Sequence, residues 1–289
     1  MLHQPMTLPL TFRQRSWVAF KLNRPAYICL FILSALILMA ILAPFFSQHT
    51  YYDVNLNSKN LSPTSTHWFG TDDLGRDIFT RIWYGARISL FVGIAAAVID
   101  LIIGVLWGGI AAISGGNTDE IMMRIVDIMS SIPSLLVIIC LMVVIGPGLH
   151  TIIIAISFFG WITMARVVRA QILQLKGQNY VLAARSLGAN FWRIFFKHLL
   201  PNAYGPILVT LTLTVPSAIF MEAFLSYLGL GVQAPIASWG TMANEGLPAL
   251  EYYPWRLFFP AAFISMTMLS FNMIGDGLSD AFASATRTD

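Results

Sequence analysis

Six long stretches of this 289-residue chain are apolar and almost free of charge, each close to the length of a bilayer crossing. A hydrocarbon core about 30 Å thick takes roughly 20 helical residues to span. Only 11% of the residues are charged, against roughly 25% in an ordinary soluble domain. A chain this apolar has too little polar surface to cover a water-facing globule. The reading is therefore an all-α, polytopic transmembrane protein of six spans sitting in a lipid membrane. The net charge of +3 is too small to point to nucleic acid as a partner.

The first stretch runs from Pro25 to Phe46 and the second from Ile88 to about Ser114, broken only by Asp100. A charge-free run from Ile128 to Ala165 is too long for one crossing, and Gly146-Pro147-Gly148 divides it into the third and fourth. The fifth covers Ile207 to Leu228 and carries Glu222, and the sixth covers Leu257 to Ile274. The first stretch exceeds a signal-peptide core, and Ala43-Pro44-Phe45-Phe46 lacks a small-residue cleavage pattern, so it is expected to be a retained anchor. The expected organisation is an N-terminal segment 1–24, a first transmembrane helix 25–47, an outer loop 48–87, a five-helix core 88–280 containing the basic loop 166–201, and a tail 281–289.

Charge placement orients the chain. With the N-terminus inside, twelve of the 17 lysines and arginines fall on the cytoplasmic side, six of them (Arg166, Arg169, Lys176, Arg185, Arg193 and Lys197) in one loop. Positive residues bias loops to the cytoplasm, so both termini are expected there.

That loop carries the most specific pattern in the chain. Gln178 to Gly188 reads as a short helix ended by a glycine in the left-handed conformation. The small pair Ala183-Ala184 would admit another protein's surface close to the backbone. A second helical piece follows, with Phe191, Trp192, Phe195 and Phe196 apolar and Arg193 and Lys197 basic, as in a helix at a membrane face. Pro201 fits the first turn of the fifth span. The alternative reading is a membrane-surface linker whose small residues only permit packing.

These residues resemble the permease subunits of bacterial binding-protein-dependent ABC importers, whose loop carries Glu-Ala-Ala, three residues and Gly, then Leu-Pro about a dozen residues on. Here the pattern falls on Ala183, Ala184, Gly188, Leu200 and Pro201, with Arg185 inside it; Leu182 stands where the family has glutamate. Further stretches narrow the resemblance to the C-type permease of the oligopeptide, dipeptide and nickel group. They are His67-Trp-Phe-Gly-Thr-Asp-Asp-Leu-Gly-Arg-Asp77 and its continuation to Leu90, Met123 to Leu135, Glu222 to Val232, and Gly275 to Asp280. The resemblance implies a type I ABC importer permease fold and half of a translocation pathway for peptides, nickel or another small solute. It also implies several partners: a second, B-type permease subunit, two ATPase subunits on the cytoplasmic loops, and an extracytoplasmic solute-binding protein in the space outside a bacterial inner membrane. No Gly-x-x-x-x-Gly-Lys-Ser/Thr loop occurs, so ATP hydrolysis is expected on the partners, with no catalysis and no cofactor here.

The remaining chemistry is sparse. Asp100 and Glu222 fall within spans, where a charge at mid-bilayer costs about 2.5–3.5 kcal/mol, so each is expected to line the pathway or to make a helix-packing hydrogen bond. Gly104 and Gly108 form a Gly-x-x-x-Gly that would allow a close helix crossing. Asp72, Asp73 and Asp77 lack the alternating oxygen ligands of a calcium loop. With Thr71 they suit a helix N-terminus, and Leu74, Ile78 and Ile82 make an apolar stripe toward the second span. The loop from Gln233 to Trp255, with Glu245 and Glu251, is a candidate docking surface. His3, His49, His67, His150 and His198 show no metal-ligand spacing, and Cys29 and Cys140 read as small hydrophobes. A secondary transporter working without ATP would predict inverted repeats with broken helices, and no convincing internal repeat is visible.

Overall fold

The computed structural model describes residues 12–286; His3, Arg287 and the outermost parts of segments 1–24 and 281–289 lie outside the described residues. A short helix α1 (Phe12–Leu22) leads into α2 (Arg24–Phe46), whose start is fixed by Asn23 accepting the Ala26 N–H and by Pro25 in the first turn. After a loop, α3 spans Ile78–Ser114, and α4 (Gly116–Ser131), α5 (Ser134–Ile145) and α6 (Leu149–Leu175) follow. The basic loop holds α7 (Asn179–Ser186) and α8 (Phe191–Arg193), which continues as a π-helical turn over Ile194–Leu199. Then come α9 (Tyr204–Tyr227), the short α10 (Trp239–Gly246) and α11 (Trp255–Thr286).

Five of these helices are long and apolar enough to cross a membrane, and the α4–α5 pair, bent by 83°, supplies up to a sixth passage. The sixth is required by direction. Gly104 of α3 meets Met164 of α6, Gly108 meets Ala165, and Lys176 reaches the Ala112 carbonyl, so α3 and α6 run parallel. The 116–145 segment between them therefore returns the chain. The bend corrects the expectation of a continuous third span from Ile128. Pro133 excludes its predecessor from the helical region, and Ile132 accordingly sits at ψ 133°.

The second span also starts earlier than expected. The helix begins at Ile78 rather than Ile88, because Asp77 caps it by accepting the Thr80 N–H at 2.8 Å. Its 37 residues make it about 55 Å long. Charges do not end it: Arg81 pairs with acidic groups and Arg87 donates to the Ala40 carbonyl at 2.7 Å. Pro201 is likewise displaced from its expected place, lying in a 3₁₀ turn, Leu200–Asn202, one turn ahead of α9.

The close α3–α6 crossing rests on the glycine pair. A Cβ on Gly108 would lie 2.2 Å from the Ala165 carbonyl oxygen, and one on Gly104 would lie 2.5 Å from the Met164 Cβ. Backbone cannot give way as a flexible side chain can. Gly108→Leu should destabilise the chain by about 1–3 kcal/mol, read as a lower thermal unfolding midpoint in detergent. Ile102→Leu, on an exposed face of the same helix, should leave the midpoint unchanged.

Candidate functional site

The basic loop is built as a rigid projection. Val181 of α7 is buried in a cluster with Val168 and Ile172 of α6 and with Ile194, Phe195 and Leu199 of the π-helical turn, and Ala184 is buried beside it on α7. Room for the Phe195 ring is made by Gly109 of α3, whose added Cβ would stand 2.4 Å from it. The loop is thereby keyed into two spans. On the other face Leu182, Ala183, Arg185 and Leu187 are exposed, Leu187 to 88%. The Ala183-Ala184 pair is divided: Ala183 is open to an approaching surface, while Ala184 serves packing within the chain.

Gly188 ends α7. It takes φ +78°, its N–H donates to the Arg185 carbonyl, and the Ala189 N–H reaches back to Ala184 at 3.0 Å. This is a Schellman termination, which needs a left-handed residue at that place. Nothing lies within 4 Å of a Cβ built there, so conformation rather than space selects glycine. Trp192 and Phe196 stack at 5.7 Å and remain half-exposed, whereas Phe195 and Leu199 are buried.

The two acidic residues within the spans have different surroundings. Glu222 is fully buried, and its carboxylate accepts from Ser89 of α3 at 3.0 Å and from Ser226 at 2.9 Å. Ser89 Oγ in turn accepts the Trp239 N–H at 3.2 Å, so Glu222 ties α9, α3 and α10 together as a packing group. Asp100 is also buried, but its Oδ1 has no hydrogen-bond partner among the described residues. It lines a cavity of about 400 Å³ with Ser134, Thr163, Thr210, Thr214 and Ser217. The close approach is to Gly160, whose Cβ would fall 2.0 Å from Asp100 Oδ2.

The family described as "Binding-protein-dependent transport system inner membrane component" matches residues 101–288. The chain belongs to that family. It is a multi-pass membrane protein, and a second match, to the N-terminal TM domain of oligopeptide transport permease C, covers residues 11–63. Among curated members of the family, the Bacillus subtilis (strain 168) oligopeptide transport system permease protein OppC is 62% identical over 94% of this chain and 89% of its own length. The dipeptide permease DppC of the same organism is 57% identical, covering 94% and 85%. The Escherichia coli K12 OppC is 42% identical, covering 91% and 87%. A solved structure of the MetNI methionine ABC transporter, inward facing, superposes with a TM-score of 0.59 at 19% identity over 70% of this chain and 96% of that one. This supports the type I importer permease fold.

An ionic cluster that sequence spacing did not reveal joins the stretch between the two family matches to α10 and α11. Asp72 pairs with Arg76 at 2.6 Å and also with Arg81, and Glu245 of α10 pairs with Arg76 at 3.1 Å and Arg81 at 2.9 Å. Arg256 of α11 reaches Asp73 at 3.1 Å and the Glu245 carbonyl at 3.0 Å. The three aspartates thus meet arginines, a histidine and backbone N–H groups. Glu245 pairs with both arginines yet keeps its side chain 37% exposed, and Glu251 is exposed as well. Only the partners' separation in sequence, 164 residues for Arg81 and Glu245, hid the cluster. A second cluster joins α4 to α6 through Asp119–Arg169 at 2.6 Å and Asp127–Arg166 at 3.0 Å.

Proposed function

We propose that the chain is one of two permease subunits of an ATP-driven importer that moves peptides delivered by an extracytoplasmic binding protein. The observation that carries this is α7: a short helix keyed through Val181 and Phe195 into α6 and α3, presenting an apolar outer face at Leu182, Ala183 and Leu187. Large apolar side chains exposed on a basic loop suit a protein partner. That partner is an ATPase subunit on the cytoplasmic side, and α7 acts as the lever that carries its motion into the spans. Leu182 supplies an apolar contact where relatives of this type use an acidic one. The peptide cargo is supported by the names of the B. subtilis relatives. Both termini lie in the cytoplasm with the basic loop.

The pathway passes Asp100. Its cavity is lined by hydroxyls from α6 and α9, groups that can replace a solute's water shell without fixing one side chain's identity. Asp100→Leu should reduce uptake about tenfold or more with normal assembly, because the polar wall loses its carboxyl group. Unchanged uptake would assign Asp100 to packing.

The test of the whole reading is reconstitution of the chain with its sister permease, ATPases and binding protein in proteoliposomes. Labelled peptide should enter only with ATP. Entry driven by a proton gradient without ATP would make the protein a secondary transporter, and ATP-driven uptake of nickel or another solute instead of peptide would overturn the cargo.

A further inference from the structure

We propose that His49, His67 and Asp77 form a binding site for a divalent first-row transition ion of the zinc type, clamping the loop after α2 to the start of α3. The three side chains come from separate segments: His49 lies just past the end of α2, His67 lies in the following loop, and Asp77 caps α3. One ligand atom from each lies within 4.8 Å of the other two. Sequence spacing gave no hint of this, because the separations of 18 and 10 residues match no ligand motif.

The geometry is nearly assembled. His67 Nδ1 and Asp77 Oδ1 stand 2.9 Å apart. Bonds of about 2.0–2.2 Å to a tetrahedral ion place neighbouring ligand atoms about 3.3 Å apart, so this hydrogen-bonded edge need open by only about 0.4 Å to admit the ion. The His49 ring lies against the His67 ring, centroids 4.6 Å apart and planes inclined by 23°. A turn of the His49 ring, closing no more than about 1.5 Å, brings its nitrogen to the same distance.

The surroundings hold these ligands in place. Asp77 Oδ2 is engaged by the Thr80 N–H at 2.8 Å and the Thr80 hydroxyl at 2.7 Å, which leaves Oδ1 aimed at the histidines. The Thr64 hydroxyl accepts the His67 backbone N–H at 3.0 Å, and the Ser47 hydroxyl accepts that of His49 at 3.1 Å. Ser47 and Thr80 share a hydrogen bond at 2.5 Å, so the outer groups form one connected set. Such second-layer contacts orient metal ligands and raise their affinity. Beside the site an open pocket of about 230 Å³, lined by Gln48, Ser65 and Thr66 among others, admits water as a fourth ligand.

Ligand type selects the ion. Two imidazoles with one carboxylate suit zinc and its neighbours, whereas calcium and magnesium favour all-oxygen shells. A helix N-terminus repels a cation, and the Asp77 carboxylate at that terminus offsets the repulsion.

The experiment uses the full chain purified with its partner subunits through a tag without histidines, stripped with EDTA and dialysed against zinc. One zinc per chain should bind saturably, and cobalt in its place should give visible d–d bands of a four- or five-coordinate site. His49→Gln and His67→Gln should each weaken zinc binding at least about tenfold, since loss of a second-layer partner alone costs that much. Asp77→Asn, which keeps an oxygen to cap α3, should weaken it similarly while the unfolding temperature in EDTA stays at the wild-type value. Zinc, and not calcium or magnesium, should raise the wild-type unfolding temperature. Absence of saturable binding overturns the proposal, as does binding that survives both histidine changes. Should a variant fail to assemble, a wild-type unfolding temperature indifferent to zinc overturns it equally.

Discussion

Asp72→Ala should lower the stability of the folded chain by about 3–5 kcal/mol, the scale for removing one partner of a buried ion pair. The Asp72 side chain is 4% exposed and faces Arg76 and Arg81, which are 9% and 3% exposed. Without it Glu245, itself 37% exposed, is left to serve both guanidinium groups. The measurement is thermal unfolding of the detergent-solubilised complex, with protease sensitivity of the 48–77 loop as a local readout. An unfolding temperature within a degree of wild type would show that the cluster contributes little. Acid should reproduce part of the effect. Burial alone raises the Asp72 carboxyl, but the Arg81 and Arg76 charges and the N–H groups of Arg76 and Leu74 outweigh it, holding the group below its ordinary value. A lowered carboxyl contributes stability that is present above its unfolded pKa of about 3.9 and is lost as the pH falls through the folded value. The wild type should therefore lose stability below that point, and Asp72→Asn should lose less over the same interval.

Gly188→Val should reduce coupled uptake about tenfold or more while the protein still inserts and assembles with its partners. The φ of +78° costs a β-branched residue about 1–3 kcal/mol. The chain relieves that strain by undoing the Schellman termination, which unfixes the face of α7 carrying Leu182 and Ala183. Because open space surrounds the position, a steric account would predict that every side chain is tolerated. The conformational account instead ranks asparagine, which tolerates left-handed backbone, well above valine. Uptake and ATP hydrolysis measured together in proteoliposomes decide it. Valine should leave hydrolysis running with little transport, and equal transport by the asparagine and valine variants would remove Gly188 from the coupling role.

Much of the fold was legible because a bilayer imposes a simple length rule. The first and fifth spans lie close to where apolar runs end, since nothing but charge and turn residues sets those limits, whereas the sixth helix runs on past Ile274 to Thr286. The second span ran ten residues past its apolar limit because Arg81 and Arg87 are neutralised by partners far away in the chain. The third broke at Pro133, a signal present in the sequence but overshadowed by the hydropathy around it. Within the basic loop, the helix 178–188 was visible from its terminating glycine. Which alanine faces outward was not, because that depends on the packing of Phe195 under Gly109.

By itself, the sequence determined the solvent, the number of passages, the family and the residue that ends α7. Those depend on local composition and on backbone conformation, which neighbouring residues dictate. Tertiary structure alone decided what each buried charge does. Glu222 and Asp100 look alike as single acids in apolar runs, yet three helices satisfy one and a cavity receives the other. The same holds for Asp72 with Arg81 and Glu245, and for His49 with His67 and Asp77. Electrostatic and coordination partners act over a few ångströms of space, and only the folded path brings them within that range.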